Sequence, residues 1–124
     1  MKILVAKDAG YCFGVRDAVN LAHKTGQEYE EVYMLGDIVH NESVVSELNK
    51  SGSIVVNSLD EIPQDKPVLF RAHGTDPNIW KKAQKKKLNI IDATCPLVTE
   101  IHEEIKILES EKRKTIIIEI RLKN

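Results

Sequence analysis

Four side chains in this sequence have the type and the placement to do chemistry: Cys12 in "GYCFGV", His40 in "DIVHN", His73 in "RAHG" and Cys95 in "DATCPLV". Each follows a run of β-formers and precedes a helical pattern, so each is expected at a strand end. In an open α/β sheet that is where ligands sit, because the loops converge outside the carboxyl ends of the strands. Taken singly, a cysteine is most often a small core residue and a loop histidine a polar surface residue. The neighbours argue otherwise. Gly10 and Gly14 let the backbone take positive φ or approach something bulky, and Pro96 fixes the entry into the helix after Cys95, leaving its sulfur near a helix N-terminus where a thiolate is favoured. Both thiols are therefore read as ligands or nucleophiles. His40 and His73, beside small or polar residues, can face an anion together with free backbone amides. The set describes a metal or cluster site next to an anion-binding site.

The elements that must position these residues alternate between strand and helix, which predicts a mostly parallel sheet with flanking helices, an α/β class. Strands are expected over 2–6, 31–35, 53–57, 68–72, 88–92 and 114–120. Helices are expected from Gly14 to about Lys24 and over 41–52, 78–87 and 97–111, with Asn41 and Asp76 as N-caps and Gly52 as a stop. Val98, Ile101, Ile105 and Leu108 give the last helix one apolar face. His23 and His102 fall within helices and are read as solvated or capping. The lysines of 81–87 read as a solvated helix face.

Composition narrows the function classes. With 42% hydrophobic and 30% charged residues in 124, the chain should bury a core of its own. Its net charge of −1 offers no global attraction to nucleic acid or membrane, so an anionic ligand needs a local cluster. No apolar run has the length of a membrane span and the N-terminus lacks the pattern of a secretory signal, so a cytoplasmic protein is expected. Two cysteines 83 positions apart are, in a reducing compartment, more often ligands, reactive thiols or core residues than a disulfide.

The four motifs, in this order and spacing over residues 1 to about 118, resemble the LytB/IspH family, the 4-hydroxy-3-methylbut-2-enyl diphosphate reductases. The resemblance implies three similar α/β units around a central 4Fe-4S cluster held by one cysteine from each, with the fourth iron open to the substrate hydroxyl. Cys12 and Cys95 would be two of the three ligands, and His40 and His73 would contact the diphosphate of an allylic substrate. The implied reaction removes the allylic hydroxyl with two electrons and protons, giving isopentenyl and dimethylallyl diphosphate in the non-mevalonate route. Ferredoxin or flavodoxin is the implied electron donor. Asp92 and Thr94 would shape the loop that carries Cys95.

The sequence also departs from that pattern. The family is more than twice as long, and its third cysteine, its "HPE" glutamate and the serine, threonine and asparagine residues of the diphosphate pocket are absent here. Glu119 does not match the glutamate motif, and no residue is assigned as catalytic. The expected organisation is a first α/β unit over 1–95 with its N-terminal strand, then the start of a second over 96–124. As an N-terminal fragment the chain is expected to be inactive by itself, and "TIIIEI", with the features of an exposed sheet edge, to self-associate. Two other readings remain open at this stage: a small module in which Cys12, Cys95, His40 and His73 hold zinc, and a flavodoxin-like phosphate binder. The first lacks closely spaced ligand pairs, and the second lacks a glycine-rich phosphate loop.

Overall fold

The computed structural model describes residues 1–7, 10–116 and 118. Four short strands, β1 (Val32–Leu35), β2 (Ser53–Val56), β3 (Pro67–Phe70) and β4 (Asn89–Asp92), form one parallel sheet in the order β2-β1-β3-β4. The register pairs Tyr33 with Val68 and Met34 with Leu69 at the centre. Val32 pairs with Ser53 on one side, and Pro67 with Asn89 on the other. β1 and β3 are buried along their whole length, as central parallel strands covered on both faces must be.

Alternation along the strands divides the core in two. Val32, Met34 and Leu69 point to the face covered by α1 (Phe13–Glu28) and α2 (Glu42–Lys50), where Ala18, Ala22, Val44 and Leu48 join them. Tyr33, Leu35, Val68 and Phe70 point to the other face, packed by Ala83 of α3 (Pro77–Lys85) and by Leu59 and Ile62 around a 3-10 turn at Leu59–Glu61. The crossover from β1 to β2 and that from β3 to β4 run in opposite directions along the sheet. Right-handed connections then put α2 and α3 on opposite faces. The loops after β1 and β3 diverge at the β1/β3 boundary, the topological switch point of an order also found in flavodoxin-like sheets. No helix of the described residues is long and apolar enough to cross a membrane.

Most expected elements form within two residues of their predicted bounds, and both predicted N-caps form. The Asn41 side chain accepts from Val44 N–H at 3.2 Å, and that of Asp76 accepts from Asn78 N–H at 2.6 Å. The turn at 59–61 carries a capping box, Ser58 and Glu61 each accepting from the other's end of the turn.

Three expectations need correction. Residues 2–6 form no strand: Ile3, Leu4 and Val5 are 72 to 82% exposed, and no described strand lies beside them. An apolar run becomes a strand only with a hydrogen-bonding neighbour, and among the described residues neither edge strand, β2 or β4, has a further partner. The strand expected over 114–120 falls partly on residues 117, 119 and 120, outside the described residues, and 114–116 and 118 form no regular structure. Finally, α4 (Pro96–Ser110) is the predicted amphipathic helix, but none of its residues is buried.

Phe70 is fully buried and meets Trp80 edge to face at 5.1 Å. Phe70→Ala is expected to destabilise the chain by about 3–5 kcal/mol, read as a lower urea midpoint followed through Trp80 fluorescence.

Candidate functional site

All four helix N-termini lie at the carboxyl edge of the sheet, since α2, α3 and α4 follow the ends of β1, β3 and β4 and the first turn of α1 packs on Cys95. The expected site residues sit at or beside these termini. Cys12 is the N-cap of α1 and Cys95 the N-cap of α4, both extended in backbone, both free, and neither making a side-chain cap hydrogen bond. His40 directly precedes Asn41, the N-cap of α2. His73 lies three residues before Asp76, the N-cap of α3. Free N–H groups and the positive ends of the helix dipoles thus crowd one rim of the molecule, an arrangement suited to anions.

Local chemistry fixes each loop. Gly10 takes φ +141°, a region closed to most side chains, and turns the chain toward Cys12. At the other thiol, the Asp92 carboxylate accepts from both the N–H of Thr94, at 3.0 Å, and its hydroxyl, making the Asx turn that delivers Cys95. Pro96 then stands at the first position of α4.

A chain of contacts joins all four residues. Cys95 N–H donates to Ala72 C=O at 2.8 Å, tying the second thiol to the residue before His73. Ala72 N–H donates to Ile38 C=O at 3.4 Å, tying the His73 loop to the His40 loop. The imidazoles of His40 and His73 stack, 4.9 Å apart and 15° from parallel. Asn41 donates from Nδ2 to the Tyr11 hydroxyl at 3.3 Å, reaching from His40's neighbour to Cys12's neighbour. The last link is Gly14, packed so tightly on Cys95 that a Cβ there would lie 2.5 Å from its Sγ. The four residues therefore share one mouth, with Cys12, His40 and His73 exposed and Cys95 partly so.

The two histidines are not equivalent. Loss of solvent around the His73 ring, then the Arg71 guanidinium and His40, hold its pKa below the ordinary 6.5. An arriving anion would oppose that shift by favouring the protonated ring.

His102, set aside as a solvated helix histidine, lies closer to this mouth than its sequence setting suggested. Its Cε1 approaches Gly74, and with His73, Thr75, Trp80 and Lys106 it lines a cavity of about 780 Å³ between α3 and α4. The available signal was its spacing: seven residues after Cys95 is two turns along the same helix face. His23 stays apart, 4.0 Å from Glu47 on the outer side of α1 and α2. The lysine run is mostly solvated as expected, except that Lys86 Nζ donates to Leu59 and Asp60 C=O. Among the described residues no group of three or more His, Cys, Asp or Glu side chains is arranged to hold a metal ion.

Comparison with known proteins places this arrangement. The family described as LytB protein matches residues 3–120. The 4-hydroxy-3-methylbut-2-enyl diphosphate reductase of Wolbachia pipientis wMel is 39% identical over 95% of this chain and 40% of its own length. That of Clostridioides difficile is 37% identical over 95% of this chain and 43% of its own length. The solved reductase from Plasmodium falciparum superposes with a TM-score of 0.81 at 35% identity, covering 85% of this chain and 33% of that one. A second solved structure, titled as the terminal enzyme of the non-mevalonate pathway, gives 0.74 at 40% identity, covering 88% and 39%. The chain therefore spans about 40% of the length of the curated relatives it matches.

The depressed pKa of His73 has a definite sign in stability. Between pH 6.5 and the lower folded value the unfolded chain takes up a proton that the folded chain refuses, so stability is full above pH 6.5 and falls as the pH drops through that window. Urea midpoints at pH 7.5 and 5.5 should fall more for the parent chain than for His73→Gln. An NMR titration should place His73 below 6.5 and move it upward in Arg71→Gln.

Proposed function

The chain belongs to the LytB protein family, and on that premise we propose that it supplies part of a 4-hydroxy-3-methylbut-2-enyl diphosphate reductase acting in the cytoplasm. In this reading Cys12 and Cys95 are two ligands of a 4Fe-4S cluster, while His40 and His73 hold the diphosphate of the allylic substrate. The observation that carries it is the closed run of contacts through Gly14, Ala72, the imidazole stack and the Tyr11–Asn41 hydrogen bond.

The donor set fits such a cluster. Both sulfurs are free and near the surface, both stand where a helix start leaves N–H groups unpaired, and soft thiolates are the usual ligands of iron–sulfur centres. A further ligand has to come from elsewhere, since the sequence holds two cysteines. When bound, a cluster of this kind supplies electrons and a Lewis-acidic iron for the departing allylic oxygen.

The remaining work belongs to this chain's own side chains and backbone. The imidazoles of His40 and His73, with the N–H groups opening α2 and α3, offer donors to the diphosphate oxygens and so set where the carbon end of the substrate lies. Asp92 and Thr94 hold the Cys95 loop, and Asn41 through Tyr11 holds the Cys12 loop. The overall change, loss of the hydroxyl as water on uptake of two electrons and two protons, draws its electrons from a ferredoxin or flavodoxin.

We also assign 1–95 to a first α/β unit and 96–124 to the start of a second. Leu97, Ile101 and Ile107 of α4, each more than half exposed, support this, since large apolar side chains left uncovered in their own unit are suited to contact with another.

The test joins this chain to the remaining length of the Wolbachia pipientis relative and assays the chimera anaerobically with a viologen reductant. Cys12→Ser or Cys95→Ser should abolish the brown absorption and lower kcat by at least about 100-fold. His40→Asn and His73→Asn should keep the colour and raise KM by about tenfold or more. Colour and turnover that survive Cys95→Ser would overturn the reading.

A further inference from the structure

We propose that the first turn of α1 is the seat of the Cys95 sulfur, and that glycine at position 14 is a positioning residue that sets where this sulfur lies relative to the Cys12 thiol.

Gly14 is buried in the opening turn of a 16-residue helix. Its φ is not positive, so backbone conformation does not call for glycine there. Helix propensity argues against glycine, since it is a poorer helix former than alanine in a helix interior. Space explains it. An added Cβ would lie 2.5 Å from Cys95 Sγ and 3.0 Å from Cys95 Cβ, distances that real Cβ atoms avoid. The sulfur therefore packs on the bare backbone of α1, two residues from the Cys12 N-cap.

Hydrogen bonds resist a large backbone shift on either side. Cys95 is held by its N–H on Ala72 C=O at 2.8 Å, and its own C=O accepts from Val98 N–H at 2.9 Å and Thr99 N–H at 3.1 Å. Pro96 restricts the next peptide. On the α1 side, Cys12 C=O accepts from Arg16 N–H at 3.0 Å, and Ala18 and Ala22 pin the helix to the sheet. Rotation about χ1 of Cys95 moves its Sγ but not its Cβ, so a methyl group at position 14 turns the sulfur away from its seat and leaves a 3.0 Å Cβ contact that the two backbones must open by a few tenths of an ångström. The fold survives and the relation between the two thiols changes.

The steric part stands on geometry alone, whereas the pairing of the two thiols rests on the reading of both as ligands of one centre. The experiment separates them. In a double-mutant cycle, Gly14→Ala should lower the melting temperature of the parent chain by at least about 3 °C. In the Cys95→Gly background, which removes both clashing atoms, the same change should raise it, as the better helix former. The same sign in both backgrounds overturns the seat. The second arm titrates the reduced chain with cadmium and follows thiolate-to-metal absorption. The parent chain should bind one ion through two thiolates, with the band reduced in Cys12→Ser and Cys95→Ser. Gly14→Ala should weaken that binding at least tenfold. Unchanged cadmium binding in Gly14→Ala overturns the positioning role. A parent band indifferent to Cys12→Ser leaves the seat in place and overturns the pairing of the thiols.

Discussion

Ala72 is the point on which the site depends. It lies two residues beyond the end of β3, and it continues the parallel hydrogen-bond ladder in both directions after the strands have stopped, donating to Ile38 and accepting from Cys95. Buried among the side chains below α1 and α2, it has no water to replace those partners. An unpaired backbone group there would cost about as much as a lost buried hydrogen bond, so both loops must come to it. His40, His73 and Cys95 inherit their places from that requirement. The core does not merely support the site; its last backbone pairings set the spacing of the site's walls.

The fourth member, Cys12, is held differently. It comes from a helix that precedes the sheet in sequence, and it joins the rim through a steric fit at Gly14 and one exposed hydrogen bond from Asn41 to Tyr11. An exposed bond of this kind is worth little by itself. Asn41 gains weight from its double duty, since the same side chain caps α2 through Oδ1 while its Nδ2 reaches Tyr11. A single amide thus ties the start of one helix to the loop leading into another.

The parts of this molecule that could be read in advance are those governed by local rules. Continuous apolar runs gave β1 and β3, Asn41 and Asp76 marked helix starts, and glycine and proline beside the cysteines placed the thiols at turns. What escaped was decided by partners far away in sequence. Ile3, Leu4 and Val5 look like β-formers no less than Val32 to Leu35 do, and only the absence of a neighbouring strand separates them. The apolar face of α4 was legible, but its exposure was not, because periodicity says which residues share a face and not whether anything covers it. His102 carried a signal in its seven-residue distance from Cys95, hidden by the ordinary look of a histidine on a charged helix. The roles proposed for the four rim residues rest on resemblance between ordered motifs, which no single residue type would have carried.

One consequence concerns how α4 moves. The helix is fastened at its beginning, where Cys95 is bonded to Ala72 and where Val98 and His102 rest on Gly74, and the cavity opens beside the rest of its length. Mechanically it is a cantilever. Beyond His102 the eight residues Glu103–Ser110, at 1.5 Å each, make an arm of about 12 Å, so a few degrees of play at the clamp become displacements of about half an ångström to an ångström at Ser110. The same leverage works in reverse: whatever grips the far end of that arm transmits torque directly to the sulfur at its root.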